Sequence, residues 1–75
     1  MPRYFFNIRH DRLYEDVDGL DLDNKDSAWE AATRSAGDHL KELDGQLRPG
    51  HDWRMEVTDE FANPIFEILV RAEKK

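Results

Sequence analysis

The sequence predicts an α+β domain in the order strand, strand, helix, strand, strand, with one helix on a four-stranded, mainly antiparallel sheet. Three observations carry this. Tyr4-Phe5-Phe6-Asn7-Ile8-Arg9 and Trp53-Arg54-Met55-Glu56-Val57-Thr58 alternate with the period of two that a half-buried strand requires. Between them Ala28, Ala32, Ser35, Ala36, His39, Leu40 and Leu43 recur at the spacing of one helix face. Two clusters with turn chemistry, His10-Asp11-Arg12 and Asp59 to Pro64, each separate a pair of strand-like runs.

The first strand is rich in aromatic and β-branched residues, and alternation puts Tyr4, Phe6 and Ile8 on one face. After the polar break, Leu13-Tyr14-Glu15-Asp16-Val17 reads as a second, more exposed strand that closes a hairpin and ends at Gly19. Leu20 and Leu22 alternate with Asp21 and Asp23, so this stretch is extended and sets both leucines against the core. Asp23 or Asn24 then caps a helix, with Asp26 and Glu30 near its positive end. Small residues on the inner helix face allow a close approach to the sheet, and Gly45 is the stop signal.

A loop from Gln46 to Asp52, containing Pro49-Gly50, leads to the third strand. There Trp53, Met55 and Val57 point inward, Trp53 as core, while Arg54, Glu56 and Thr58 point outward. Ile65 to Val70 completes a second hairpin with Phe66, Ile68 and Val70 on one face, and Arg71 to Lys75 is a polar tail. If each element reverses direction, the third strand runs antiparallel to the first. Placing those two side by side gives the order 2-1-3-4 and puts the most apolar strand in the middle.

The 75 residues allow one domain, 1–75, and a chain this short buries only about 60% of the surface its unfolded form exposes. Its core is thin, and self-association is a natural remedy. Without cysteine there is neither a disulfide nor a thiolate metal site, which points to a reducing cytoplasm. The apolar run at the start turns polar at Asn7, too early for a signal peptide or a membrane span. A net charge of −6 opposes nucleic-acid binding. That charge is concentrated: between residues 11 and 26, Asp11, Glu15, Asp16, Asp18, Asp21, Asp23 and Asp26 face only Arg12 and Lys25.

Several pieces of the chain, taken together, resemble a known family in their order and spacing. They are Pro2-Arg3-Tyr4-Phe5-Phe6, the charged hairpin leading to Asp18-Gly19-Leu20, the alanine-rich helix, and Trp53-Arg54-Met55-Glu56-Val57-Thr58-Asp59-Glu60. The family is the group of small bacterial proteins classed as domain of unknown function family 6894. The resemblance covers nearly the whole chain and implies a bacterial source, but it brings no activity, cofactor or catalytic residue. Phe61-Ala62-Asn63 departs from the family pattern, which has a tighter glycine-containing turn.

Chemistry-bearing constellations are sparse. The acidic segment fails the calcium-loop pattern: counted from Asp16 the sixth position is Asp21 rather than glycine, and counted from Asp21 the twelfth is Ala32. It reads as a solvated loop plus helix-capping carboxylates. His10, His39 and His51 show no metal-binding spacing, and read as two loop residues flanking one packed helix residue. Ser27 and Ser35 lack the glycines of a nucleophile elbow. Glu56 and Glu67 could face each other across the last hairpin, but an open sheet face offers no water-excluding cleft. The expectation is a non-enzymatic protein with no cofactor and no metal.

One feature suggests a partner. With the helix over Tyr4, Phe6, Met55, Val57, Phe66 and Ile68, the opposite face shows Phe5, Ile65 and Leu69 among Arg3, Asn7, Arg54, Glu56 and Glu67. Exposed apolar surface of this kind marks an interaction site. The first expectation is therefore a homodimer, formed through the open face, with Phe5, Ile65, Leu69 and Arg54 in the interface, or through the edge of the fourth strand. The alternative is an antitoxin-like or regulatory protein that engages a basic partner through segment 11–26, with Asp16, Asp18 and Asp21 as its contacts.

Overall fold

In chain order the elements are β1 (Arg3–His10), β2 (Arg12–Tyr14), β3 (Leu20–Asp21), α1 (Lys25–Leu43), β4 (Trp53–Thr58) and β5 (Pro64–Val70). They come from a computed structural model that describes residues 2–43, 45 and 47–75. Met1, Asp44 and Gln46 lie outside the described residues, and Gln46 is where the sequence starts the loop before the third strand.

β1 is the hub of the sheet. It pairs antiparallel with β4 from Phe5↔Thr58 to Arg9↔Arg54, and β4 pairs antiparallel with β5. On β1, the C-terminal end takes β2 (Ile8↔Tyr14 to His10↔Arg12) and the N-terminal end takes β3 (Arg3↔Asp21, Tyr4↔Leu20). The sheet thus runs β2-β1-β4-β5 with β3 as a fifth strand off that path, a correction to the four-stranded expectation. The strand expected over 13–17 stops at Tyr14, because aspartate disfavours regular pairing and its carboxylate competes for backbone N–H groups.

Asp16 does this directly. Its Oδ2 accepts the Phe6 N–H at 3.1 Å, and its Oδ1 accepts the N–H of Gly19 at 3.1 Å and of Asp18 at 3.3 Å. In return the Asp16 N–H donates to Asn7 Oδ1 at 2.9 Å. The Asp16 carboxylate therefore satisfies a β1 N–H that lies beyond the last β1–β2 pair, and also holds the loop that follows. Gly19 closes the loop at φ 72°, where an added Cβ would stand 2.8 Å from Arg3 Cγ and 2.9 Å from the Phe5 ring. Both the backbone angle and the space select glycine.

Asn24 caps α1, its Oδ1 accepting the Ser27 N–H at 2.9 Å. Ala28, Ala32 and Ala36, spaced four apart, form the buried line of the helix. They lie over a sheet face whose fully buried side chains are Trp53, Met55 and Val57, joined by Tyr4 and Ile8. Small residues on that line let the helix come close to large ones on the sheet, which keeps a thin core dense. Trp29 adds a tilted contact with Phe66, ring centroids 5.2 Å apart. Leu22 packs against the core as expected, its N–H donating to the Pro2 carbonyl. Leu20 does not: it remains exposed at the sheet margin.

The β4–β5 register contains a slip. Val57 pairs with Phe66 but Thr58 pairs with Pro64, so Ile65 is the extra residue of a bulge. Ile65 accordingly packs against the core cluster, which corrects its expected place on the open face. The turn beyond is held by Asp59, whose Oδ1 accepts the N–H of Phe61 and of Asn63, both at 2.9 Å, while Oδ2 accepts the Asn63 side-chain amide at 3.0 Å. These bonds, those from Asn63 foremost, lower the Asp59 pKa. Ala62 sits in the left-handed region at φ 64°, a conformation suited to glycine.

Candidate functional site

Alternation from the buried positions assigns the face that α1 leaves uncovered. Leu13, Arg9, Arg54 and Leu69 are consecutive cross-strand partners and form one row across β2, β1, β4 and β5. The next row is Asn7, Glu56 and Glu67, and the one after is Phe5 and Thr58. The face is thus banded, with two arginines bracketed by leucines, then carboxylates, then a ring against a threonine. Arg54 reaches diagonally to Glu67 at 3.5 Å, a solvent-screened pair of small energetic weight.

Two shallow depressions run end to end over these rows. A depression of about 310 Å³ is lined by Asn7, Arg9, Leu13, Glu15, Arg54 and Glu56. Another, of about 420 Å³, shares Asn7, Glu15 and Glu56 and continues between the Asp16–Val17 loop and the Asp59–Ala62 turn, over Phe5 and Thr58. Arg9 and Arg54 stand at one end of the groove, balanced by Glu15 and Glu56, which line both depressions, and the other end adds only carboxylates, Asp16, Asp59 and Glu60.

Of the residues singled out in sequence, Arg54 and Leu69 lie on this face, Leu69 43% exposed. Phe5 is there but half-buried beside Gly19. The apolar surface missed by sequence reasoning is Leu13, 53% exposed, and Val17, 80% exposed. Leu13 was hidden by a register that local alternation cannot supply, namely its pairing with Arg9.

The acidic trio is differently occupied. Asp16 is engaged with backbone N–H groups, and Asp21 takes two hydrogen bonds from the Arg3 guanidinium, at 2.9 and 3.3 Å, which hold its pKa below the usual range. For Asp18 it is the main-chain carbonyl that is engaged, by Arg3 Nη1 at 3.1 Å. The histidines fall at the opposite end of β1. His10 ends that strand rather than sitting in the turn, His51 Nδ1 lies 2.9 Å from Asp11 Oδ1, and His39 is exposed. Among the described residues no three His, Asp or Glu side chains gather closely enough to hold a metal ion.

The family model described as Domain of unknown function (DUF6894) matches residues 3–71, from the first residue of β1 to just beyond β5. The chain belongs to the DUF6894 family. The DUF6894 match takes in every strand, the helix and the whole groove. No curated protein and no solved structure matches the chain. No helix among the described residues is long and apolar enough to cross a membrane.

Proposed function

We propose that this protein is a non-enzymatic interaction module that self-associates through the open face of its sheet. The observation that carries this reading is the charge gradient of the groove, from an end where Arg9 and Arg54 balance Glu15 and Glu56 to an end of carboxylates alone, with exposed Leu13 and Val17 along it and Leu69 beside Arg54. A two-fold axis lying in the plane between two such faces, perpendicular to the groove, lays the Arg9–Arg54 end of one copy over the Asp59–Glu60 end of the other, twice. The surface is thereby complementary to itself in charge while the leucines are removed from water. Two sheets stacked about 10 Å apart are a standard way to cover such a face. The alternative surface, the β5 edge, carries Pro64 and Glu67, residue types that disfavour strand addition. A chain without cysteine suits the cytoplasm as the setting.

Sedimentation equilibrium at micromolar concentration tests the reading, with a dimer expected for the wild type. Arg9→Glu with Arg54→Glu, and separately Glu15→Lys with Glu60→Lys, should each give monomers. Mixed together, the two variants should form a heterodimer, since every junction then opposes unlike charges. A monomeric wild type, or no recovery on mixing, overturns the proposal.

A further inference from the structure

At the far end of β1 the fold assembles something the self-association reading does not use. Positions 10, 39 and 51 are distant in sequence, yet all three histidines line two cavities that meet at His10. The cavities share His10, Tyr14 and Leu43 as a common wall. Nε2 of His10 is buried between them and has no hydrogen-bond partner among the described residues. A buried polar atom left unpaired costs about 1–3 kcal/mol, so such atoms nearly always meet a partner.

The two cavities differ in character. The larger, about 500 Å³, is lined by Arg12, Arg48 and His51, with Asp11 as its carboxylate. Asp11 is already bonded to His51, and Arg48 is near enough to favour its ionised form. Arg12 is held by its Nε–H to Tyr14 Oη at 2.9 Å, with its guanidinium carbon 5.1 Å from the centre of that ring. This orients the fork, and among the described residues its terminal nitrogens meet no other acceptor. In a chain of net charge −6, the larger cavity is thus a local excess of positive charge. The smaller cavity, about 330 Å³, presents Ile8 and Trp53 beside the shared Leu43 and Tyr14, with His39 and the carboxylate of Glu42 also in its lining, so the anionic head belongs in the larger cavity and only the apolar body in this one.

We propose that this end of the molecule binds a small organic oxyanion, its carboxylate or phosphate group held by Arg12, Arg48 and His51 and its short apolar body lying against Leu43 and Trp53, with His10 Nε2 meeting a polar atom between them. The chemistry follows the walls: guanidinium forks match two-oxygen anions, and the apolar cavity adjoins rather than encloses them. The groove of the open face is separate, so this site and self-association stand or fall independently.

The test is a titration followed in proton–nitrogen correlation spectra, including the histidine ring signals. Phenyl phosphate and 3-phenylpropionate are the probes, with inorganic phosphate and 3-phenylpropanol as the head-only and body-only controls. Saturable shifts at His10, His51 and Arg48 are expected with both probes. Each control should bind about tenfold more weakly, the order expected for losing either half of the contact. Arg12→Ala and Arg48→Ala, both at exposed positions and checked for an unchanged helix signal, should each weaken probe binding by a similar factor. If only one probe binds in this way, the oxyanion class is narrowed to that head group. No saturable shift, equal binding of the alcohol, or indifference to both arginine variants overturns the proposal.

Discussion

The two faces of this sheet are cut from the same strands by alternation, yet they obey different rules. The face under α1 takes its order from volume: Trp53, Met55 and Val57 are 1% exposed or less, and the buried helix residues over them are all alanines. The opposite face takes its order from charge and from one side chain, Asp16, that stands in for a missing length of strand. Truncation should therefore be felt very differently on the two sides of one strand.

The largest expected effect is Trp53→Ala, which removes a buried side chain from the core and should cost about 3–5 kcal/mol in urea unfolding. Its open-face neighbour, Arg54→Ala, should stay within about 0.5 kcal/mol for the monomer. Equal losses would break the distinction between the faces. Next comes Asp16→Ala, which orphans the half-buried Phe6 N–H and should cost about 1–3 kcal/mol, whereas Asp18→Ala leaves every one of those bonds in place. Similar midpoints for the two variants would mean that the loop is held by something other than this carboxylate.

Ala62→Gly should act in the opposite direction. Relieving a left-handed alanine stabilises by about 1 kcal/mol, less the entropy glycine adds to the unfolded chain, so a raised midpoint with unchanged slope is expected. The smallest effect concerns pH. Asp59, Asp21 and Asp11 all have folded pKa values below the free carboxyl range, through bonds from Asn63, Arg3 and His51 respectively. The folded state therefore binds fewer protons than the unfolded one. Their contribution is complete above the free carboxyl range and is lost as pH falls through the folded values. Asp59→Asn should unfold with a shallower acid dependence than wild type, and an identical acid limb would count against the turn network.

Much of this was legible in the residues. The alternation of 53–58, the alanine line of the helix, the cap at Asn24 and the turn chemistry of Asp59 and Asn63 are local patterns, and local patterns survive into the fold. The candidate site was legible only in part. Arg54 and Leu69 follow from alternation, but Ile65 crosses to the core because one residue too many lies between Pro64 and Phe66. No single-strand pattern reveals a bulge, since the slip exists only relative to the partner strand.

By itself the sequence determined the class of fold, one helix over an antiparallel sheet, because periods of two and 3.6 leave few other ways to bury the apolar positions. It also determined that the chain carries neither a cysteine nor a glycine-rich phosphate loop. Tertiary structure alone decided which side chains share a surface. It paired Leu13 with Arg9, gave the Asp16 carboxylate to the backbone of β1, and brought His10, His39 and His51 to one end of the molecule. The reason is physical: side-chain periodicity is a property of one segment, whereas register and convergence are properties of two, and only packing the segments together sets them.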